Sequence, residues 1–352
     1  MKATFKKYLL NFKQASGTSR GVMHTKETYF LIIQDDDKIG IGECGLFRGL
    51  SYDDRLDYSD KMQWVCDHIH LGVDALWNEL REWPSIQFGI EQAFLSLQSK
   101  HPFVLFPSLF TESKKAISIN GLVWMGTPEF MQQQIQDKIA NGFKCIKIKI
   151  GAIDFEEEMN LLAGIRTHFT PEMIEIRVDA NGGFSKSEAL NKLIQLSEYK
   201  IHSIEQPIKQ KQYDSMADLC KTTPVPIALD EELIGVIEVN DKENLLLKIK
   251  PKYIILKPSL VGGFKGTKEW IEIAERLGIG WWITSALESN IGLNAIAQFT
   301  FTLENKMPQG LGTGGLFTNN FESNLYVKNG HLWFDDAIDV SIENILNQLK
   351  KE

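Results

Sequence analysis

The rhythm of apolar and polar positions changes about a third of the way along the chain. From about residue 115, short β-branched apolar runs alternate with amphipathic stretches of helical period. The runs lie at 116–119, 145–149, 174–178, 201–204, 225–229, 253–256, 279–283 and 309–311. Their starts recur about every 25 to 30 residues, the length of one strand–loop–helix–loop unit. Eight such units in series predict an α/β fold, a closed (β/α)8-type (TIM-like) barrel. An open doubly wound sheet competes, but it seldom runs to eight regular repeats.

Residues 1–114 carry no such period. Two alternating runs at 29–34 and 39–43, joined by the acidic turn Asp35-Asp36-Asp37-Lys38, predict a β-hairpin, and helical patterns follow, clearest at 90–97. The Asp triplet reads as a solvated turn rather than a metal site. After the eighth run, 325–334 predicts a second hairpin on an Asn329-Gly330 turn of type I′, and 342–350 a last helix. The predicted division is an α+β capping domain at 1–114, a catalytic barrel at 115–322, and a segment at 323–352 returning to the capping domain.

Composition narrows the class. A chain of 352 residues, 43% hydrophobic and 24% charged, has the balance of a soluble globular protein with about two domains. A formal net charge of −8 argues against nucleic acid as a partner, since phosphate binding needs a basic face. No apolar run approaches the roughly 20 residues that span a bilayer, which argues against a membrane. The N-terminus lacks the apolar core of a signal peptide. Cys44, Cys66, Cys145 and Cys220 are scattered, so a reducing cytoplasm is expected. The partner implied is a small-molecule substrate, with the oligomeric state left open.

In a barrel, functional groups gather where strands end. Lys149, Asp179, Glu205, Asp230 and Lys257 end runs two to six, at successive steps of 30, 26, 25 and 27 residues. Scattered surface charges do not keep such a step. Three adjacent carboxylates without His or Cys suit Mg2+ or Mn2+ rather than Zn2+. A structural alternative pairs them with Lys149 and Lys257. Strand alternation puts Lys147 on the same face as Lys149, where a second ammonium favours a neutral amine available as a base. Arg177 and Asn181 flank Asp179 by two residues and either face the cavity or brace the residues that do. Glu231 is expected to face away from Asp230.

These segments carry a resemblance. Lys147-Ile148-Lys149, Arg177-Val178-Asp179-Ala180-Asn181, Glu205-Gln206-Pro207, Leu229-Asp230-Glu231 and Leu256-Lys257-Pro258 together resemble the enolase superfamily, in its muconate-lactonising-enzyme branch. The resemblance spans essentially the whole chain. It implies that Asp179, Glu205 and Asp230 bind Mg2+, with Mn2+ as a substitute. It implies that Lys149 abstracts the proton α to a substrate carboxylate and then protonates the departing hydroxyl. Lys257, on the opposite face, would stabilise the enediolate. A lysine base paired with Mg2+ is a general pattern of that superfamily. The segments 285–289 and 310–317 add support for a carbon–oxygen lyase of menaquinone biosynthesis. Its substrate would be a hydroxycyclohexadiene carboxylate.

The remaining site expectations are softer. Arg20 lies in a Gly17–Gly21 segment resembling the family's lid loop, and 42–48 resembles its second capping loop. Ser285 and Ser289 follow strand seven, where they hydrogen-bond a carboxylate or cap a helix. Gly310 and Gly312 read as a turn beside the substrate. Rival activities keep the fold: N-succinylamino acid racemase and dipeptide epimerase. The stretch from Gly310 lacks the Asp-x-Asp element usual in the epimerase. A different class, a metal-independent lyase, would use Lys149 or Lys257 as a Schiff-base nucleophile. A non-catalytic protein with merely paired charges is the last alternative.

Overall fold

The computed structural model describes every residue except Ser19, Arg20, Ala152 and Glu352. Three antiparallel strands begin the chain: β1 (Lys2–Thr18), β2 (Gly21–Asp35) and β3 (Lys38–Cys44). Asp35 pairs with Lys38, so Asp36 and Asp37 form the hairpin turn that the acidic triplet predicted. Asp36 adopts φ 49° there, a left-handed conformation that Asp tolerates in turns. The long β1 is an element that the apolar pattern does not single out.

Helices α1 (Tyr58–Asp67), α2 (Gly72–Glu79) and α3 (Pro84–Gln98) follow. The last lies directly on β3. A Cβ on Gly42 would stand 2.0 Å from the Gly89 carbonyl oxygen, and one on Gly89 would stand 2.2 Å from Cys44 Sγ. Only glycine at both positions lets helix and strand approach so closely.

The barrel begins differently from the prediction. The run at 116–119 divides: β4 (Ile117–Ser118) pairs antiparallel with a later hairpin, and β5 (Gly121–Val123) joins the parallel sheet. An apolar run reports burial, not which sheet buries it. Beyond β5 the units follow in order: α4 (Pro128–Ala140), β6 (Cys145–Lys149), α5 (Phe155–His168), β7 (Glu175–Asp179), α6 (Lys186–Ser197), β8 (Ser203–Glu205), α7 (Tyr213–Thr222), β9 (Ile227–Leu229), α8 (Val239–Ile249), β10 (Tyr253–Leu256), α9 (Pro258–Val261), α10 (Gly263–Arg276), β11 (Gly280–Ile283) and α11 (Asn290–Thr302). Every strand pairs in parallel with the next.

The eighth strand shrinks to Gln309 and Gly310. Parallel bridges Thr284↔Gly310 and Ile119↔Gln309 close the ring. No helix lies between it and residue 325 among the described residues, so the eighth unit is a strand alone. Between barrel and helices, Ile146, Ile148, Ile176, Val178, Ile204 and Leu256 are buried in one apolar cluster, which accounts for their β-branched and aliphatic character.

The chain ends with β12 (Leu325–Lys328), β13 (His331–Phe334) and α12 (Ile342–Lys350). Asn329 and Gly330 take φ 51° and 70°, the two positive angles a type I′ turn requires. Ile345 and Leu349 of α12 pack with Tyr8 and Phe30 of the first sheet, and Gln348 Nε2 donates to the Tyr8 hydroxyl at 2.9 Å. All four cysteines are free. No helix among the described residues is long and apolar enough to cross a membrane.

Candidate active site

Five ionisable side chains stand at or just past the ends of five consecutive strands. Lys149 ends β6 in register with Asp179 of β7, which is in register with Glu205 of β8. Asp230 follows β9 and Lys257 follows β10. Asp179, Glu205 and Asp230 are each at most 2% exposed, so the site depends on how these charges answer one another.

They answer through ammonium groups. Lys149 Nζ donates to Asp179 Oδ2 at 2.9 Å and to Asn181 Oδ1 at 2.7 Å. Lys147 Nζ lies 3.0 Å from the same Asp179 oxygen and also pairs with Glu205 Oε2. Lys257 Nζ pairs with Asp230 Oδ2. Burial pushes the Asp179 carboxyl up, but Lys147, Lys149 and Lys257 outweigh it and hold the group well below the usual carboxylate range. Burial is likewise overcome at Asp230, chiefly by the positive charges of Lys257 and Lys147, which leave its carboxyl lowered. At Glu205 the balance reverses. Burial and the negative charge of Asp179 prevail over Lys147 and push its carboxyl well up. Lys147 is held strongly charged because Asp179, Glu205 and Asp230 overcome its desolvation.

The donor set fits a divalent cation. It consists of three hard carboxylates with no sulfur or imidazole, and buried Glu205 Oε1 has no hydrogen-bond partner among the described residues. Glu205 is thus the carboxylate short of positive charge. Among the described residues no three acidic, His or Cys side chains converge tightly enough to hold an ion by themselves. The ammonium groups of Lys147 and Lys257 lie against the carboxylates instead.

Two residues hold this set through left-handed backbone. Asn181, at φ 43°, receives Lys149, and its own N–H donates to Asp179 Oδ1 at 3.0 Å. Gln206, at φ 40°, accepts from Asp230 N at 3.2 Å and Glu232 N at 3.3 Å. It thereby ties the end of β8 to the segment carrying Asp230. Such conformations are costly, and they persist where surroundings over-determine them.

The strand ends open into a cavity that Lys147, Lys149, Asp179, Asn181 and Lys257 line together. Ser285, Gly310 and Gly312 line it too, as the sequence suggested. Met23 of β2, with Phe47 and Leu50 beyond β3, covers it with apolar surface. Arg20 lies outside the described residues.

Two open alternatives resolve and one expectation is corrected. Arg177 does not line the cavity: it sits inside the barrel, its guanidinium 4.1 Å over the Trp282 ring, Nε donating to Glu175 at 2.7 Å and Nη1 to the Pro308 carbonyl at 2.9 Å. Two residues back along an inward-facing strand means one layer deeper, away from the open end. Ser289 caps α11, its Oγ accepting from Ile291 N at 3.2 Å and donating to Glu43 Oε2 at 2.5 Å. Glu231 does not turn away but accepts from Asn181 Nδ2 at 3.0 Å. Asp230 already lies beyond β9, and Glu231–Leu233 form a 3-10 turn, so strand alternation no longer applies.

Sequence reasoning missed Asn120, Trp124, Thr284 and Thr313, all of which line the cavity. Asn120 was hidden because the predicted first strand stopped at residue 119. Thr284 follows a predicted strand directly, and its position could have been found from that alone.

The residues 131–343 match the model of a family described as enolase C-terminal domain-like. The chain is 45% identical over 365 aligned positions to an o-succinylbenzoate synthase from Desulfotalea psychrophila, covering 94% of this chain and 98% of that one. The crystal structure of MenC from Desulfotalea psychrophila LSv54 superposes with a TM-score of 0.84 at 41% identity, covering 95% of this chain and 99% of the other. At the level of fold, muconate lactonizing enzyme from Pseudomonas fluorescens superposes at 0.81 with 22% identity over 98% of each chain. A dipeptide epimerase from Cytophaga hutchinsonii, solved with Mg and a dipeptide, superposes at 0.79 with 21% identity over 95% of this chain and 94% of its own.

Proposed function

From the premise that the chain belongs to the enolase superfamily, in its muconate-lactonising-enzyme branch, we propose that it acts as an o-succinylbenzoate synthase. The reaction is syn-dehydration of 2-succinyl-6-hydroxy-2,4-cyclohexadiene-1-carboxylate to 2-succinylbenzoate, a hydro-lyase step in menaquinone biosynthesis. The substrate is a small carboxylate. The observation that carries the reading beyond the likeness is the placement of lysines on opposing walls of one cavity, with three buried carboxylates between them along the ring.

In a ring of eight strands, β6 and β10 are the second and sixth, half a turn apart. Lys149 and Lys257 therefore face the two sides of a planar group lying across the cavity. Lys149 Nζ takes the proton from the carbon bearing the carboxylate. The same nitrogen then hands that proton to the departing hydroxyl, so both leaving groups depart from one face and water is released. Asn181 Oδ1 orients this nitrogen. Lys257 stays protonated, since its carboxylate neighbours hold it strongly charged, and its ammonium faces the negative charge that develops. Asp179, Glu205 and Asp230 would hold Mg2+, which when bound supplies positive charge that makes the α-proton acidic. Met23, Phe47 and Leu50 exclude water above. Aromatisation of the ring makes the elimination downhill.

The test is to follow loss of the cyclohexadiene chromophore by purified protein with Mg2+, alongside deuterium uptake at the α-carbon of N-succinyl amino acids. Dehydration that stops on adding EDTA supports the assignment. Rapid exchange without dehydration would make it a racemase. Activity indifferent to EDTA but trapped by borohydride would make it a Schiff-base lyase.

A further inference from the structure

Glu231 is buried beside the strand ends, yet it is absent from the residues that line the cavity. It opens the 3-10 turn Glu231–Leu233 just beyond β9. That turn is pinned from the neighbouring strand, where Gln206 Oε1 accepts from Asp230 N at 3.2 Å and Glu232 N at 3.3 Å. Glu231 Oε1 accepts from Asn181 Nδ2 at 3.0 Å. The oxygen of the same amide receives Lys149 Nζ at 2.7 Å, and the Asn181 backbone N–H is tied to Asp179 Oδ1 at 3.0 Å. A chain of contacts therefore runs from a fixed, buried turn, through one amide, to the cavity wall.

The two ends of an amide side chain are alike in size and opposite in chemistry: the oxygen accepts and the nitrogen donates. An ammonium beside the amide selects the oxygen without help, because an ammonium only donates. An amine about to take a proton is less selective. It carries a lone pair beside its N–H groups, so it also accepts from an amide N–H. An Asn181 side chain turned end for end would donate into that lone pair and keep it from the substrate. Glu231 opposes that turn, because a carboxylate presents an acceptor to the amide nitrogen and nothing to the amide oxygen.

We propose that Glu231 is a positioning residue for proton transfer: it holds the Asn181 amide with its oxygen toward Lys149, which leaves the amine's lone pair free for the α-proton. This rests on Lys149 being the base of the synthase reading above. Glu231 itself carries no proton and touches no substrate.

The experiment is steady-state dehydration by the full-length protein with Mg2+ present. Glu231→Leu removes the acceptor and lowers kcat about tenfold or more, with KM within about twofold of wild type. Glu231→Gln keeps an acceptor at the same reach and restores kcat to within about threefold of wild type. In an Asn181→Ala background, Glu231→Leu costs no further kcat, since no amide remains to be oriented. That double variant also leaves no Asn181 N–H without its partner, so the comparison stands even where Glu231→Leu alone folds poorly. The negative charge of Glu231 also reaches Lys257. If that charge were its contribution, Glu231→Gln would fall as far as Glu231→Leu, and the loss would persist without Asn181. Either result overturns the proposal, as does a Glu231→Leu variant that turns over at the wild-type rate. Wild-type protein that exchanges the α-proton of N-succinyl amino acids without dehydrating the cyclohexadiene carboxylate overturns the synthase reading alone, and the same variants are then compared by exchange rate. Wild-type protein that does neither overturns both.

Discussion

Buried carboxylates occur in two settings in this molecule. At the strand ends, Asp179 and Asp230 are answered by ammonium groups and their carboxyls are lowered. At the seam between the first sheet and the barrel, Glu43 takes its hydrogen bonds from fixed dipoles, with the charge of Lys26 nearby. Its oxygens accept from Ser289 N at 3.0 Å, Gly292 N at 2.9 Å and Thr28 Oγ1 at 2.9 Å. Glu288 accepts from Ala286 N at 2.8 Å nearby, and the buried amino group of Lys26, which both acids influence, has no hydrogen-bond partner among the described residues. Burial pushes the Glu43 carboxyl up despite Lys26 and its bonds from Ser289. Fixed dipoles hold a carboxylate in place, but in this protein they do not fully replace the water it has lost. Lysine side chains can move aside for a cation or substrate; backbone N–H groups cannot. The seam is built to stay and the strand ends are built to exchange.

The largest break in that comparison comes at the strand ends. Lys149→Ala and Lys257→Ala are each expected to lower kcat about a thousandfold or more, because proton transfer and charge stabilisation there have no substitute. Lys149→Ala should remain folded, since Asp179 keeps Lys147 at 3.0 Å. The measurement is dehydration rate beside the far-UV spectrum. A variant turning over near the wild-type rate with unchanged fold would remove the assigned roles.

At the seam the same kind of deletion should act on stability first. Glu43→Ala leaves Lys26 with one acid fewer and strips the partner from the N–H groups of Ser289 and Gly292. Breaking a buried charge arrangement of this kind costs about 3–5 kcal/mol. Denaturant unfolding measures it. The double variant Lys26→Met with Glu43→Gln should recover much of the loss, because it removes both buried charges. A Glu43→Ala penalty under about 1 kcal/mol would mean that water reaches the seam.

How far the sequence discloses these settings follows from the same physics. The strand-end set is legible because barrel repeats space its members by 25 to 30 residues and each ends an apolar run. The hairpin at Asn329-Gly330 is legible because few residue pairs accept two positive φ angles. The seam is not legible: Glu43 and Ser289 are 246 residues apart, and nothing local in either segment announces the partner. Arg177 stays ambiguous and Glu231 misleads because of what strand alternation leaves out. Strand alternation gives the face of a residue but not its depth in the barrel, and it lapses once Asp230 has left the strand. Asn120 escapes because its segment serves two sheets, β4 toward the C-terminal hairpin and β5 toward the barrel.

The smallest effect tests whether dipole-bound carboxylates behave as a class. Asp53, fully buried, accepts at Oδ2 from Ser85 N at 2.9 Å and Ser85 Oγ at 2.6 Å, and no ammonium pairs with it among the described ion pairs. Burial, only partly offset by these bonds, raises its carboxyl from 3.8 to about 6. The folded state therefore holds a proton between about pH 4 and 6 that the unfolded chain has released. This group's stabilising share is complete below the unfolded value and is lost as pH rises through the folded one. The loss amounts to about 3 kcal/mol by neutral pH, at about 1.4 kcal/mol for each tenfold change in proton affinity. In Asp53→Asn that dependence vanishes, so the Tm of the variant relative to wild type should climb from about pH 4 to about pH 6 and level off above it. Other titrating groups cancel in the difference. A flat difference would show that Ser85 alone suffices to keep the carboxylate charged, and that the contrast between dipole-bound and ammonium-bound acids is one of geometry rather than of proton affinity.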